Sequence, residues 1–143
     1  MLGNGNLQKV TPSREAATAF LDAAEKHLES ARAITESDPD GAYSLLYDAA
    51  RKSIAALSQT QGLRATSRGG HYAIQETVAA QFTKPPPSEA FKSFGRLRRT
   101  RNQIEYDDIS TITSEDVVAD IETVRKIHAM ARQLIDIVPV FTD

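Results

Sequence analysis

The chain has 143 residues, 41% of them hydrophobic, and carries 17 lysines and arginines against 19 aspartates and glutamates, for a formal net charge of −2. That length and apolar content suit a single domain with one core. The absence of cysteine excludes disulfides, thiolate metal ligands and a thiol nucleophile, and so small a net charge means that contact with a polyanion must come from a local patch. No apolar run approaches the roughly 20 residues of a membrane span, and "MLGNGNLQKV" lacks a charged-then-apolar leader pattern, which predicts a cytoplasmic protein with no membrane contact.

In chain order, a Gly- and Asn-rich segment over residues 1–10 reads as a flexible lead, followed by one domain over 11–138 and a tail over 139–143. The first helix is predicted to open at Thr11, with Pro12 in its first turn, and Phe20, Ala24, Leu28 and Ala31 repeat along it at helical spacing. A second helix takes Asp38 as cap, Pro39 at its first position and Gly62 as its stop; between them Ala42, Leu45, Leu46, Ala49, Ser53, Ala56 and Leu57 form an apolar stripe. "LRATSRGG" has no periodicity and reads as a basic loop. A short third helix over 70–82 ends before "KPPP", because proline removes a donor and clashes with the preceding turn.

Ser88 is predicted to cap a fourth helix ending near Tyr106. The last helix starts from Thr113 with Asp116 three residues on, a capping-box pattern, and aligns Val117, Ile121, Val124, His128, Ala131 and Ile135. Glu115, Asp116, Asp120 and Glu122 come early in it and Arg125, Lys126 and Arg132 late, as the helix dipole favours. No segment alternates convincingly as a strand. The expected fold class is all-α, an up-and-down bundle of four to five helices.

The fourth helix carries the chemistry in "LRRTRNQIEY". Phe91, Phe94, Leu97, Arg101 and Ile104 fall on one stripe, which takes the Arg101 guanidinium to the edge of the core, with Glu105 four residues on as its natural partner. Gly95, Arg98, Asn102 and Glu105 form a second, polar stripe, and a glycine inside a helix there suggests close approach by another element, a second subunit or a ligand. Lys92 to Arg101 holds five basic residues and no acid, a pattern suited to RNA phosphate. The plainer reading is a solvated face with one interhelical ion pair, and Glu105, Asp107 and Asp108 reverse the charge immediately afterwards.

The order of helices, "LLYDAARKSIAAL" on the second and "RNQIEY" on the fourth together resemble the HEPN superfamily, the higher eukaryotes and prokaryotes nucleotide-binding domain. The resemblance implies a small helical bundle, often a homodimer. Many such proteins are metal-independent endoribonucleases of toxin–antitoxin and other defence systems. The family motif is an arginine followed by a polar residue and, a few residues further on, a histidine. Arg101 and Asn102 match its start, while Tyr106 stands near the place of the histidine, with Glu105 before it. In the family mechanism the histidine moves protons about the ribose hydroxyl and the leaving oxygen, and the arginine steadies the phosphate. Tyrosine is a poor base at neutral pH, and Glu105 paired with Arg101 is a poor one too.

The expectation is therefore a module that binds RNA or a nucleotide, or a partner protein such as an antitoxin, without efficient catalysis. The alternative is a metal-independent endoribonuclease in which Arg101 works with Tyr106, Glu105 or His71. The binding candidates are Arg98, Arg101, Asn102, Asp48 and His71. The plainer reading of Asp48, with Arg51 and Lys52 beside it, is a surface ion pair, and that of His71, in "RGGHY", a lone surface histidine. His27 and His128 have no partner at metal-ligand spacing, so neither metal nor cofactor is expected.

Overall fold

The computed structural model describes residues 7–65, 79–82, 87–106 and 112–138. Its elements, in order, are β1 (Leu7–Lys9), α1 (Arg14–Ile34), α2 (Pro39–Gln61), β2 (Leu63–Ala65), α3 (Pro87–Tyr106) and α4 (Ser114–Leu134). The expected all-α bundle is what forms. The α2 helix lies at its centre, in contact with α1, α3, α4 and β2, which is why it buries more than one stripe. Tyr43, Tyr47, Ala50 and Ile54 join the expected Ala42, Leu46, Ala49, Ser53, Ala56 and Leu57 in the core. Ser53 remains satisfied there by donating to the Ala49 carbonyl at 2.8 Å.

The punctuation of α2 follows its sequence. The Asp38 side chain accepts from the Gly41 amide at 3.0 Å, Pro39 takes the first position, and Gly62 ends the helix in the left-handed region at φ 82°. On α4, Thr113 accepts from the Asp116 amide at 3.2 Å and Asp116 accepts from the Thr113 amide at 3.1 Å, closing the capping box.

Three boundaries differ from expectation. The cap of α1 is Ser13, which accepts from the Ala16 amide at 3.0 Å, in place of Thr11. The Ser13 amide is held by the Gln59 carbonyl at 3.0 Å and the Val10 amide by the Gly62 carbonyl at 2.8 Å, so the chain stays extended until it has passed the end of α2. Within the segment expected as a lead, residues 1–6 lie outside the described residues and residues 7–9 form a strand, pairing antiparallel with 63–65 in the register Gln8↔Arg64, so that part of the basic loop is its partner. Both segments lack alternation because the ribbon is short. The third correction concerns α3, which begins at Pro87 rather than after Ser88; the fixed φ of proline suits the first helical turn.

Of the short helix expected over 70–82, only Ala79–Phe82 lies among the described residues. It is fastened to the core by a reciprocal amide pair between Gln61 and Gln81, at 2.6 and 3.1 Å, and by Phe82 stacked on Phe91. The tail 139–143 lies outside the described residues. No helix among those described is long and apolar enough to cross a membrane.

Candidate functional site

The apolar stripe of α3 docks on α2 as its spacing requires. Phe91, Phe94 and Leu97 are buried, and the Phe94 ring stacks on Tyr47 with centroids 5.4 Å apart and planes 11° from parallel. One turn further along α3, where the stripe reaches solvent, the Arg101 guanidinium lies over the other part of this platform, 4.6 Å from the Tyr47 ring centroid. Its Nη1 is 2.7 Å from a Glu105 oxygen, the expected pair. With its side chain only 28% exposed, Arg101 is held flat on the helix–helix seam by one ring and one carboxylate.

Charge collects around the same tyrosine. Asp48 and Arg51 form an ion pair at 3.5 Å one turn along α2. Burial pushes the Tyr47 phenol up from its ordinary value, against which the positive charges of Arg101, Arg98 and Arg51 pull it down, with Asp48 adding to the rise. Four residues singled out from the sequence, Asp48, Arg98, Arg101 and Glu105, thus meet at one seam; Tyr47, the ring that organises them, was not singled out. Its signal was its place at the edge of the α2 stripe, facing the aromatic positions of α3.

The basic strip of α3 does not act as one surface. Arg96 turns the other way, towards α4, where its two terminal nitrogens reach Asp120 at 2.7 and 3.1 Å. Lys92 and Arg99 are exposed. Asn102 is exposed at the rim, and Tyr106, at the end of α3, is 80% exposed, so it stands in solvent. His71 lies outside the described residues.

Sequence reading treated Asp120 as one of several acids near a helix start, whereas it is buried and sits at the centre of a network. Besides Arg96 it accepts from the Tyr43 hydroxyl at 2.7 Å and from Thr123 at 3.3 Å. Burial alone would raise the Asp120 carboxyl, but these donors outweigh it and hold it below the usual carboxylate range. Tyr43 is pushed the opposite way, above its ordinary value, first by burial and then by its bond to Asp120. The network opens on a cleft of about 530 Å³ that Thr100 and Ile112 also line. The available signal was position: Asp120 falls between Val117 and Val124 on the apolar face, where an unpartnered carboxylate would be costly.

The two described histidines are both engaged. His128, buried in the core, donates through Nε2 to the Leu21 carbonyl at 2.9 Å, and His27 meets the Lys52 ammonium at 2.6 Å. Among the described residues, no group of three or more histidines and carboxylates is placed to hold a metal ion.

Comparison with known proteins gives two findings. The HEPN domain model matches residues 14–134, and the fold resembles the crystal structure of an archaeal HEPN homologue, at 21% identity and a TM-score of 0.62, over 85% of this chain and 98% of that one. No curated protein matches.

Proposed function

Since the chain belongs to the HEPN domain family, we propose that the seam between α2 and α3 binds RNA through its phosphates, as a module without efficient catalysis. The observation that carries this reading is Arg101, held between the Tyr47 face and Glu105 with Arg98 and Arg51 alongside. A guanidinium already fixed by a ring and a carboxylate loses little freedom on meeting a phosphate, and it retains donors for it. Tyr47 itself is buried beneath Arg101, so the arginine, not the ring, meets the ligand.

The case against efficient cleavage rests on proton transfer. In-line attack by a ribose hydroxyl needs a base within hydrogen-bond reach. Among the described residues, Glu105 is occupied by Arg101, His128 lies in the core and His27 is bonded to Lys52 on the α1 side of α2; His71 lies outside them. Catalysis by Tyr106, exposed at the end of α3, is the second reading, since its hydroxyl is free to reach a bound phosphate. Homodimerisation and a protein partner such as an antitoxin remain compatible additions, drawn from the family alone.

Fluorescence anisotropy with labelled single-stranded RNA tests the binding. Arg101→Ala should weaken it roughly tenfold, the loss of a charged hydrogen-bonding contact, and Arg98→Ala several-fold. Equal affinity for wild type and both variants would refute the assignment of this face.

A further inference from the structure

Beyond the seam, the cation surface continues across α2. The Lys52 ammonium donates to Nε2 of His27 on α1 at 2.6 Å, which fixes that nitrogen of His27 as unprotonated and lays the lysine across the groove between the two helices. Arg51 precedes Lys52 and its side chain is only 26% exposed. Both are fixed along the surface rather than extended into water.

The electrostatics join this pair to the seam. Asp48, Arg51 and Lys52 all bear on His27, whose proton affinity is lowered by burial and by the neighbouring lysine. Arg51 and Asp48 also bear on Tyr47, together with Arg98 and Arg101. Four cations, Arg51, Lys52, Arg98 and Arg101, therefore face two carboxylates, Asp48 and Glu105, along one band. On α1 the residues one turn either side of His27 are Ala23, Ala24, Ser30 and Ala31, so α1 itself adds no acid there to Asp48.

Its length decides what fits. The α1 and α3 helices flank α2 with no close backbone approach to each other, and packed helix axes are about 8–10 Å apart, so the band spans more than one such spacing and at most roughly 16–20 Å. An ion pair to phosphate reaches only about 4 Å; one phosphate at Arg101 leaves Lys52 unused. We propose that His27, Lys52, Arg51, Arg98 and Arg101 mark a track for single-stranded RNA several nucleotides long, which crosses α2 from the α3 seam to α1. The proposal rests on the RNA-binding reading of the seam and extends it from one phosphate to several.

The test compares uridine monophosphate with uridine dimers and octamers, for wild type, Lys52→Gln and Arg101→Ala, by anisotropy competition across a salt series. Glutamine keeps a donor for His27 while removing the charge, and circular dichroism checks that the variant is folded. The track predicts that the octamer binds at least tenfold tighter than the dimer. Lys52→Gln should weaken the octamer several-fold and lower its salt slope by about 0.7, the value for one contact on a single strand, while leaving the monophosphate unchanged. Arg101→Ala should weaken all three ligands. An octamer no tighter than the monophosphate, or unaffected by Lys52→Gln while still sensitive to Arg101→Ala, would overturn the track and leave the seam standing. No binding of any ligand would overturn both.

Discussion

Arg96→Met is the sharpest perturbation of the buried polar network, because it removes the counter-charge of Asp120 and keeps an unbranched apolar side chain. The two ends of that ion pair are unequal: the arginine side chain is 47% exposed and the aspartate side chain 11%. Loss of Asp120 would let Arg96 return to water, whereas loss of Arg96 strands a carboxylate with two hydroxyl donors, Tyr43 at 2.7 Å and Thr123 at 3.3 Å. Removing one partner of a fully buried pair typically costs about 3–5 kcal/mol. With a cleft on one side of Asp120 and two hydroxyls still bonded to it, about 2–3 kcal/mol is expected at pH 7. For a chain of this length that corresponds to a fall in Tm of roughly 6–12 °C.

The pH dependence identifies the cause. Without Arg96, burial dominates and the Asp120 carboxyl rises above its unfolded value. A group raised in the folded state contributes stability below its unfolded pKa and loses it as pH climbs through the folded one. The deficit of Arg96→Met should therefore shrink between pH 7 and pH 5, while in the wild type Asp120, held below the carboxylate range, leaves stability flat in that window. Urea unfolding at both pH values measures this. A deficit below 1 kcal/mol at pH 7, or one independent of pH in that range, would refute the assignment of Arg96 as the counter-charge.

Three further outcomes concern stability. Tyr43→Phe deletes a fully buried hydroxyl bonded to Asp120, and chemical denaturation should show a loss of about 1–2 kcal/mol; since Tyr43 and Tyr47 are both raised in the folded state, wild-type stability should fall as pH passes upward through 10, and the variant should show a shallower fall, that of Tyr47 alone. Gly62→Ala forces a side chain into the left-handed region, with its Cβ 2.7 Å from the Val10 carbonyl oxygen, so a cost of about 1–3 kcal/mol is expected in urea, with faster amide exchange at Val10. Thr113→Ala opens the capping box of α4 and should cost about 1 kcal/mol by the same assay.

What was legible in the sequence follows the range of the interactions concerned. The caps at Asp38 and Thr113, the stop at Gly62 and the Arg101–Glu105 pair are decided within one helical turn, and all appear as read. The start of α1 was not, because the Val10 and Ser13 amides donate to the Gly62 and Gln59 carbonyls, far along the chain, and keep residues 10–13 extended. The ribbon formed by residues 7–9 was hidden for the same reason. At the site, helical spacing placed Arg101 at the core edge, but only the packing of α3 on α2 put Tyr47 beneath it and turned Arg96 away towards Asp120. A run of basic residues on one helix therefore overstates the binding face: neighbouring helices divide it.

The most direct test of the central claim is an electrophoretic shift with end-labelled single-stranded RNA in excess EDTA, wild type beside Arg101→Ala, with the RNA recovered and sized afterwards. The account predicts a wild-type complex that returns its RNA at full length and is weakened about tenfold in the variant. RNA shortened by the wild type and intact with Arg101→Ala would contradict it, showing that the seam carries out proton transfer without its histidine.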